Sequence, residues 1–322
     1  MSLETETVLD RRHLRRHLSF WRIVAIIALT FAVAAFVLSG ERGLQLPERR
    51  QIARVSIEGI ITDNREQLRL LERVGDANHV QAVIVFINSP GGTTAGGEAL
   101  FEALRRLAAK KPVVAQFGTV AASAGYLVGL GADHIVAHGN TITGSVGVIM
   151  QWPEVTQLLD KLGIKMNELK SGPLKANPSP FRPLDEAGRE LTQQMIAEGH
   201  RWFIGLVASR RGITTSEVPG LEQGRVFSGR EALVHKLVDE MGGESEAVKW
   251  LEEKRNIRKG LKVVDWKPDR RSNWWLPTGA WTHFASLMEG FRGELSERVA
   301  QDRTLGTLGL DGLVSVWQPS EN

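Results

Sequence analysis

The chain contains no cysteine. That excludes a disulfide scaffold, thiolate-ligated zinc, an iron–sulfur cluster and a cysteine nucleophile, and it is compatible with an extracytoplasmic location. Charge of one sign is also scarce: 40 Lys and Arg against 37 Asp and Glu leave +3 over 322 residues. Charge alone therefore gives no footprint for nucleic acid. No internal repeat is present. Neither G-x-G-x-x-G nor G-x-x-x-x-G-K-[ST] occurs, so a nucleotide cradle is not expected. With 42% hydrophobic and 24% charged residues the composition is that of a globular protein, which excludes disorder and collagen-like repetition. What remains is hydrolytic chemistry built from serine, histidine, lysine and carboxylates.

Residues Ile23 to Leu38 carry no charge, and Thr30 is the only polar residue among them. At 1.5 Å per residue the run is about 24 Å long; adding Phe20, Trp21, Ser39 and Gly40 brings it to about 30 Å, enough to span a hydrocarbon core. Arg22 then snorkels toward the headgroups. Arg11, Arg12, Arg15, Arg16 and Arg22 lie upstream, whereas Arg42, Arg49 and Arg50 follow downstream. The imbalance favours a cytoplasmic N-terminus and an exported body. A cleaved signal peptide would need a small-x-small site after the apolar run, but Ala32 and Ala34 sit inside it. The expectation is a retained single-span anchor over residues 20–40, after a basic segment 1–19 and before a polar linker 41–51.

The body alternates strand and helix patterns. A strand is expected at Ile52–Ile61, a helix at Arg65–Val74, and a strand buried on both faces at Ala82–Ile87 (AVIVFI). The turn Asn88-Ser89-Pro90-Gly91-Gly92 closes that strand. A helix follows at Thr94–Ala109, then strands at Pro112–Phe117 and Ile135–Ala137. Beyond Pro153 helices dominate, at Val155–Leu162, Asp185–Arg211 and Gly229–Glu240. The pattern predicts an α/β layer fold with parallel pairing. After Lys259 the composition shifts, and five of the nine tryptophans (Trp266, Trp274, Trp275, Trp281, Trp317) fall in the tail. A membrane-interface foot and packing against the body or a partner subunit are equally compatible with it.

Three glycine-rich turns at strand ends mark where a site can gather: Asn88–Gly92, Ala122–Gly125 and Thr143–Gly147. Backbone amides at Gly91 and Gly92 can face an incoming carbonyl, as an oxyanion hole requires, or simply form a tight turn. Ser123, in Ala121-Ala122-Ser123-Ala124-Gly125-Tyr126, stands at a helix N-terminus with small neighbours. It is either a nucleophile in an uncrowded position or an N-cap. The G-x-S-x-G elbow is absent, which speaks against an α/β-hydrolase. Among the histidines only His134 and His138 lie near Ser123 in sequence, and they bracket a strand. Lys175, in Lys170-Ser171-Gly172-Pro173-Leu174-Lys175, is the other candidate base, or a solvated loop lysine. A lysine base must be neutral, and at the ordinary lysine pKa of about 10.4 only a trace is neutral at pH 7, so it needs burial. Ser145 can hydrogen-bond and orient such an amine.

Taken together, these segments resemble the signal peptide peptidase A (SppA) family, whose fold is shared with Clp protease and the crotonases. The resemblance covers about Ile52 to Trp250. It rests on Ile87–Gly92, Ala122–Tyr126, Thr143–Val148, Lys170–Lys175, and Gly224–Arg230 with Leu237–Glu240. It implies a peptidase domain over 52–258, a tail of unassigned role over 259–322, and a Clp protease/crotonase-like α/β fold of repeated ββα layers. It further implies Ser123 as nucleophile, Lys175 as general base, Ser145 orienting the lysine, and backbone amides of Gly91, Gly92 and Ala124 as the oxyanion hole. No metal or cofactor is needed. The implied substrates are cleaved signal peptides and similar apolar segments at the inner membrane. The implied assembly is a homo-oligomer in which neighbouring protomers share each site. Where the family usually has Gly-Gly after the nucleophile, this chain has Ala124-Gly125. The alternatives are a Clp-like Ser–His protease, an acyl-CoA enzyme of the crotonase type, which an exported body would not supply with coenzyme A, and a catalytically silent peptide-binding scaffold.

Overall fold

The computed structural model describes residues 20–30, 49–268 and, for the backbone only, 314–316. The chain divides into two compact units, before and after Arg49/Arg50. In the first, residues 20–30 are helical. Phe20, Trp21, Ile23, Ile26, Ile27 and Leu29 are all exposed, and the Thr30 hydroxyl donates to the Ile26 carbonyl at 2.7 Å. Among the described residues no helix is long and apolar enough to cross a membrane. The remainder of the expected anchor, residues 31–40, lies outside the described residues.

The second unit is an α/β body. Its strands and helices are β1 (Gln51–Glu58), α1 (Arg65–Asp76), β2 (Val80–Ser89), β3 (Gly91–Thr93), α2 (Thr94–Ala108), β4 (Val113–Ala122), α3 (Ala124–Gly129), β5 (His134–Ala137) and β6 (Ile142–Gly144). There follow α4 (Thr156–Lys161), α5 (Glu186–Arg211), β7 (Val226–Ser228), α6 (Gly229–Val234), β8 (Glu240–Met241), α7 (Glu244–Lys254), β9 (Lys262–Trp266) and β10 (Val314–Val316). The main sheet runs β7-β6-β4-β2-β1-β9, with β5 also on β4 and β8 on β5. All its pairings are parallel except β6 with β7, so the sheet is mixed rather than wholly parallel.

The central strands are buried on both faces, as the AVIVFI run requires. Val83, Val85 and Ile87 of β2 pack with Leu70, Leu71, Leu100 and Leu104 from α1 and α2. Ile84 turns the other way, with Val114, Ala247 and Leu251. Three sequence readings shift in detail. β4 runs to Ala122, past Gly118, where the strand was expected to have ended. The helix expected over Gly229–Glu240 stops at Val234, because Lys236 takes a left-handed φ of 58° and Leu237 and Val238 turn into the core. The residues after Lys259 begin with β9, an edge strand beside β1.

Candidate active site

Strand β4 changes neighbour halfway along its length. Val114–Phe117 pair with β5, whereas Val120–Ala122 pair with β6. Around Gly118 the strand is pinned by side chains of both neighbours: Asn88 Oδ1 accepts from the Val120 amide at 3.2 Å, and Thr141 Oγ1 donates to the Gly118 carbonyl at 2.7 Å. A Cβ at Gly118 would crowd Phe86 and Asn88. Thr143 Oγ1 donates to the Ala121 carbonyl at 2.7 Å. These bonds fix the end of β4 and so the place where Ser123 leaves the sheet.

Ser123 is 1% exposed and adopts φ 57°, ψ −120°. Its amide donates to the Gly144 carbonyl at 2.8 Å, and its carbonyl accepts from Leu127 at 2.9 Å, opening α3. The side chain makes no capping bond to α3, so the N-cap reading fails for its hydroxyl. A non-glycine residue in this region is a strained turn of the kind that concentrates at active sites. It is the geometry of a nucleophile elbow, reached without the G-x-S-x-G pattern.

Register brings the other candidates to the same sheet end. Ser89 of β2 lies opposite Ala121, and Ala122 lies opposite Gly144. Ser145 therefore follows directly on the residue that bonds Ser123, with φ 52° and its amide on the Arg225 carbonyl at 2.9 Å. Gly91 and Gly92 are buried in β3, and Gly91 has φ 124°, which a side chain would oppose. The Gly91 amide donates to Ser89 Oγ at 3.1 Å, and that hydroxyl in turn donates to the Gly91 carbonyl at 3.2 Å. Gly91 is thus committed to Ser89. Ile61 donates to the Gly91 carbonyl and accepts from the Thr93 amide, at 2.9 and 2.8 Å. Since backbone groups alternate sides along a strand, the Gly92 N–H points to the opposite edge of β3. Gly125 touches the same turn: a Cβ there would stand 2.8 Å from the Ser89 carbonyl. In the sequence Ser89 is only one member of a turn motif; its bonds to Gly91 follow from the fold.

Two sets of candidates lie away from Ser123. His134 is opposite Val114, at the start of β4, about 25 Å from its other end at 3.3 Å per residue. It bonds Glu240 at 3.1 Å and stacks on Trp250. His138 follows Ala137, opposite Phe117 at mid-strand, with its ring against Gly243. By strand register neither lies at the Ser123 end of β4, so one protomer does not by itself assemble the Clp-like Ser–His arrangement. Lys175 is exposed in the loop between α4 and α5, its amide on the Gly172 carbonyl at 3.2 Å. The protomer alone does not bury it as a lysine base requires. Among the described residues no group of His, Asp or Glu could hold a metal ion.

Residues 105–258 match the model of peptidase family S49, and residues 50–141 match that of Clp protease. A protein of Synechocystis named as a candidate protease is 35% identical over 204 residues, 63% of this chain and 73% of that one. A protein of Enterococcus faecium named as a candidate signal peptide peptidase SppA is 30% identical over 285 residues, 84% and 77% of the two chains. Protease 4 of Haemophilus influenzae is 31% identical over 295 residues, 86% of this chain but 46% of its own length, so the match spans less than half of that relative. With the α/β sheet and the turn at Ser123, these matches establish that the chain belongs to peptidase family S49, a serine-type peptidase of Clp protease-like fold.

Proposed function

We propose that the chain is a membrane-anchored serine endopeptidase that uses Ser123 and Lys175 to degrade cleaved signal peptides and similar apolar segments. The observation that carries this reading is the strained, buried Ser123 at the sheet end, beside Gly144-Ser145 and the Ser89–Gly92 turn. In the proposed reaction Ser123 Oγ attacks the scissile carbonyl while the neutral Lys175 amine takes its proton. The oxyanion is held by the amides of Gly92 and Ala124. Gly91, the third candidate, instead fixes the turn through Ser89. The lysine then passes its proton to the leaving amine, and an acyl-enzyme remains. Water attacks the acyl carbonyl and gives its proton to the lysine, which returns it to Ser123 Oγ as the acyl C–O bond breaks, leaving free serine and neutral lysine. Ser145 orients the lysine.

Because Lys175 is exposed in one protomer, the reading takes it from a neighbour, where docking would bury it. In the surrounding sequence Leu158, Leu162, Ile164, Met166, Leu169, Leu174 and Phe181 are exposed, a concentration of uncovered apolar side chains that suits a second copy of the chain. The exposed apolar helix at residues 20–30, with its one hydroxyl satisfied internally, supports a membrane anchor. An anchor with a cytoplasmic N-terminus holds the site beside membrane-borne peptides, and one relative is named as a signal peptide peptidase. The test is hydrolysis of a fluorogenic apolar peptide by the detergent-solubilised chain between pH 6 and 10. Ser123→Ala and Lys175→Ala are expected to lose at least about 10³-fold in kcat, while His134→Ala retains activity and the wild-type rate rises through one basic-side transition. Equal rates for wild type and Ser123→Ala would overturn the proposal.

A further inference from the structure

The face of the main sheet turned away from α1 and α2 is only partly covered. Ala247 and Leu251 of α7 pack on Ile84 and Val114. One row further along the strands, Ser56 lies beside Phe86 and Phe86 beside Gln116, in register across β1, β2 and β4. This row floors a cleft of about 590 Å³, walled by Arg54, Glu58, Glu244, Asp265 and Lys267. Glu244 opens α7. A cleft of this size, beside a helix N-terminus and toward the carboxyl ends of parallel strands, is where α/β folds take ligands.

Gln116 is the telling residue. It is 9% exposed and lines the cleft, close to the α7 cap: a Cβ on Gly243 would lie 3.9 Å from its Nε2. Among the described residues no hydrogen bond reaches its carboxamide. A buried amide without a partner costs stability, and a ligand that bonds it offsets that cost. The charges around it say which ligand. Arg54 donates from Nη1 to Glu244 Oε2 and from Nε to Asp265 Oδ1, each at 2.5 Å. Glu244 Oε1, Asp265 Oδ2 and the Glu58 carboxylate have no partner among the described residues. Three carboxylates against Arg54 and Lys267 leave one negative charge on the cleft, and Phe86 gives it an apolar floor.

We infer that this cleft binds an arginine side chain of a peptide ligand. A guanidinium is a planar cation with five N–H donors and no acceptor. It donates to Gln116 Oε1 and to the unpaired carboxylate oxygens while its plane lies on Phe86. Arg54 already shows that these carboxylates accept guanidinium N–H groups. The ammonium of lysine is a compact charge that can neither fork nor lie flat. The site is separate from the proposed reaction, because Gln116 is six residues before the end of β4, about 20 Å along the strand. The inference therefore does not depend on the role of Ser123.

The test is saturation-transfer NMR with the full chain and N-acetyl-arginine amide, for which a dissociation constant on the order of 1 mM is expected. The lysine analogue should bind about fivefold more weakly, and the citrulline analogue, which keeps the shape but not the charge, at least about tenfold more weakly. Gln116→Met should weaken the arginine probe about tenfold while leaving the melting temperature unchanged or higher, because it removes an unpartnered buried amide. Glu58→Gln, at an exposed position, should weaken binding about threefold with no change in melting. No binding by the wild type, equal binding of the citrulline or lysine analogue, or unchanged affinity in Gln116→Met would overturn the inference. So would a lower melting temperature for Gln116→Met, which would make the carboxamide a structural group.

Discussion

At Ser123 the backbone is held in a conformation that costs about 1–3 kcal/mol, and the surrounding residues show how it is held. The Gly144 carbonyl takes the Ser123 amide, while Thr143 and Asn88 fix the two preceding turns of the pleat. Ser89 does the same for β3. Its hydroxyl, fully buried, closes on both backbone groups of Gly91 and leaves Gly92 as the amide facing the outer edge of β3. Removing that hydroxyl frees the Gly91 amide and loosens the turn without touching the substrate's side-chain contacts. Ser89→Ala should therefore lower kcat about tenfold with KM nearly unchanged, and weaken a peptide aldehyde far more than the matching product peptide, since one oxyanion donor is worth about 10²–10³ in rate. Equal loss in KM and kcat, or a simple drop in folded protein, would reduce Ser89 to packing. In the sequence Ser123, Ser145 and the paired glycines were legible because each sits in a glycine-rich strand-end turn. The part played by Ser89 was not, since it depends on a φ of 124° at Gly91 that only the folded turn imposes.

Elements rather than single residues explain why some boundaries were misjudged. Gly118 looks like a strand terminator, yet β4 continues because a second strand, β6, takes over the pairing that β5 leaves off. No local pattern in Pro112–Phe117 carries that information. The long helix α5 was read almost to the residue, because its ends are chemically marked: Asp185 caps the start and Gly212, in the left-handed region, closes the end. Asp185 Oδ1 accepts from the Gly188 amide at 2.7 Å and from Asn177 Nδ2 at 2.9 Å, and these bonds, with the amide first, hold its carboxyl below its ordinary range. A carboxyl depressed on folding stabilises the protein above its unfolded value, about 3.9, and loses that contribution as the pH falls through the folded value. Asp185→Ala should lower the melting temperature at neutral pH, with the gap to wild type closing only below about pH 4. A gap that is constant from pH 7 to pH 3 would mean that the charge on the cap contributes nothing. α3 is tied down differently: the Tyr126 hydroxyl donates to the Leu237 carbonyl at 3.0 Å, and burial pushes its phenol above the ordinary value. That bond joins the helix after Ser123 to the turn that ends α6 early.

For the whole molecule the governing fact is the separation of character within one body. The sheet end carrying Ser123 is buried and tightly bonded, whereas the stretch from α4 to Lys175 is exposed and rich in uncovered apolar residues. The fold class was legible from the alternation of β-branched runs and helical stripes, and five ordered motifs carried the family. The protomer does not bring Lys175 to Ser123; in the proposed function that contact is a property of an assembly rather than of a chain, which no local pattern in the sequence encodes. The proposed shared site has a specific consequence. Under it Ser123→Ala protomers keep a working lysine, Lys175→Ala protomers keep a working serine, and in mixed oligomers a neighbour of one kind completes a site with the other. The decisive measurement is therefore peptidase activity of the two purified variants alone and after mixing under conditions that exchange subunits. The account predicts two inactive proteins whose mixture recovers up to about a quarter of the wild-type rate, as random assembly of neighbours requires. A mixture as inactive as its parts, in oligomers shown to have exchanged subunits, would contradict it.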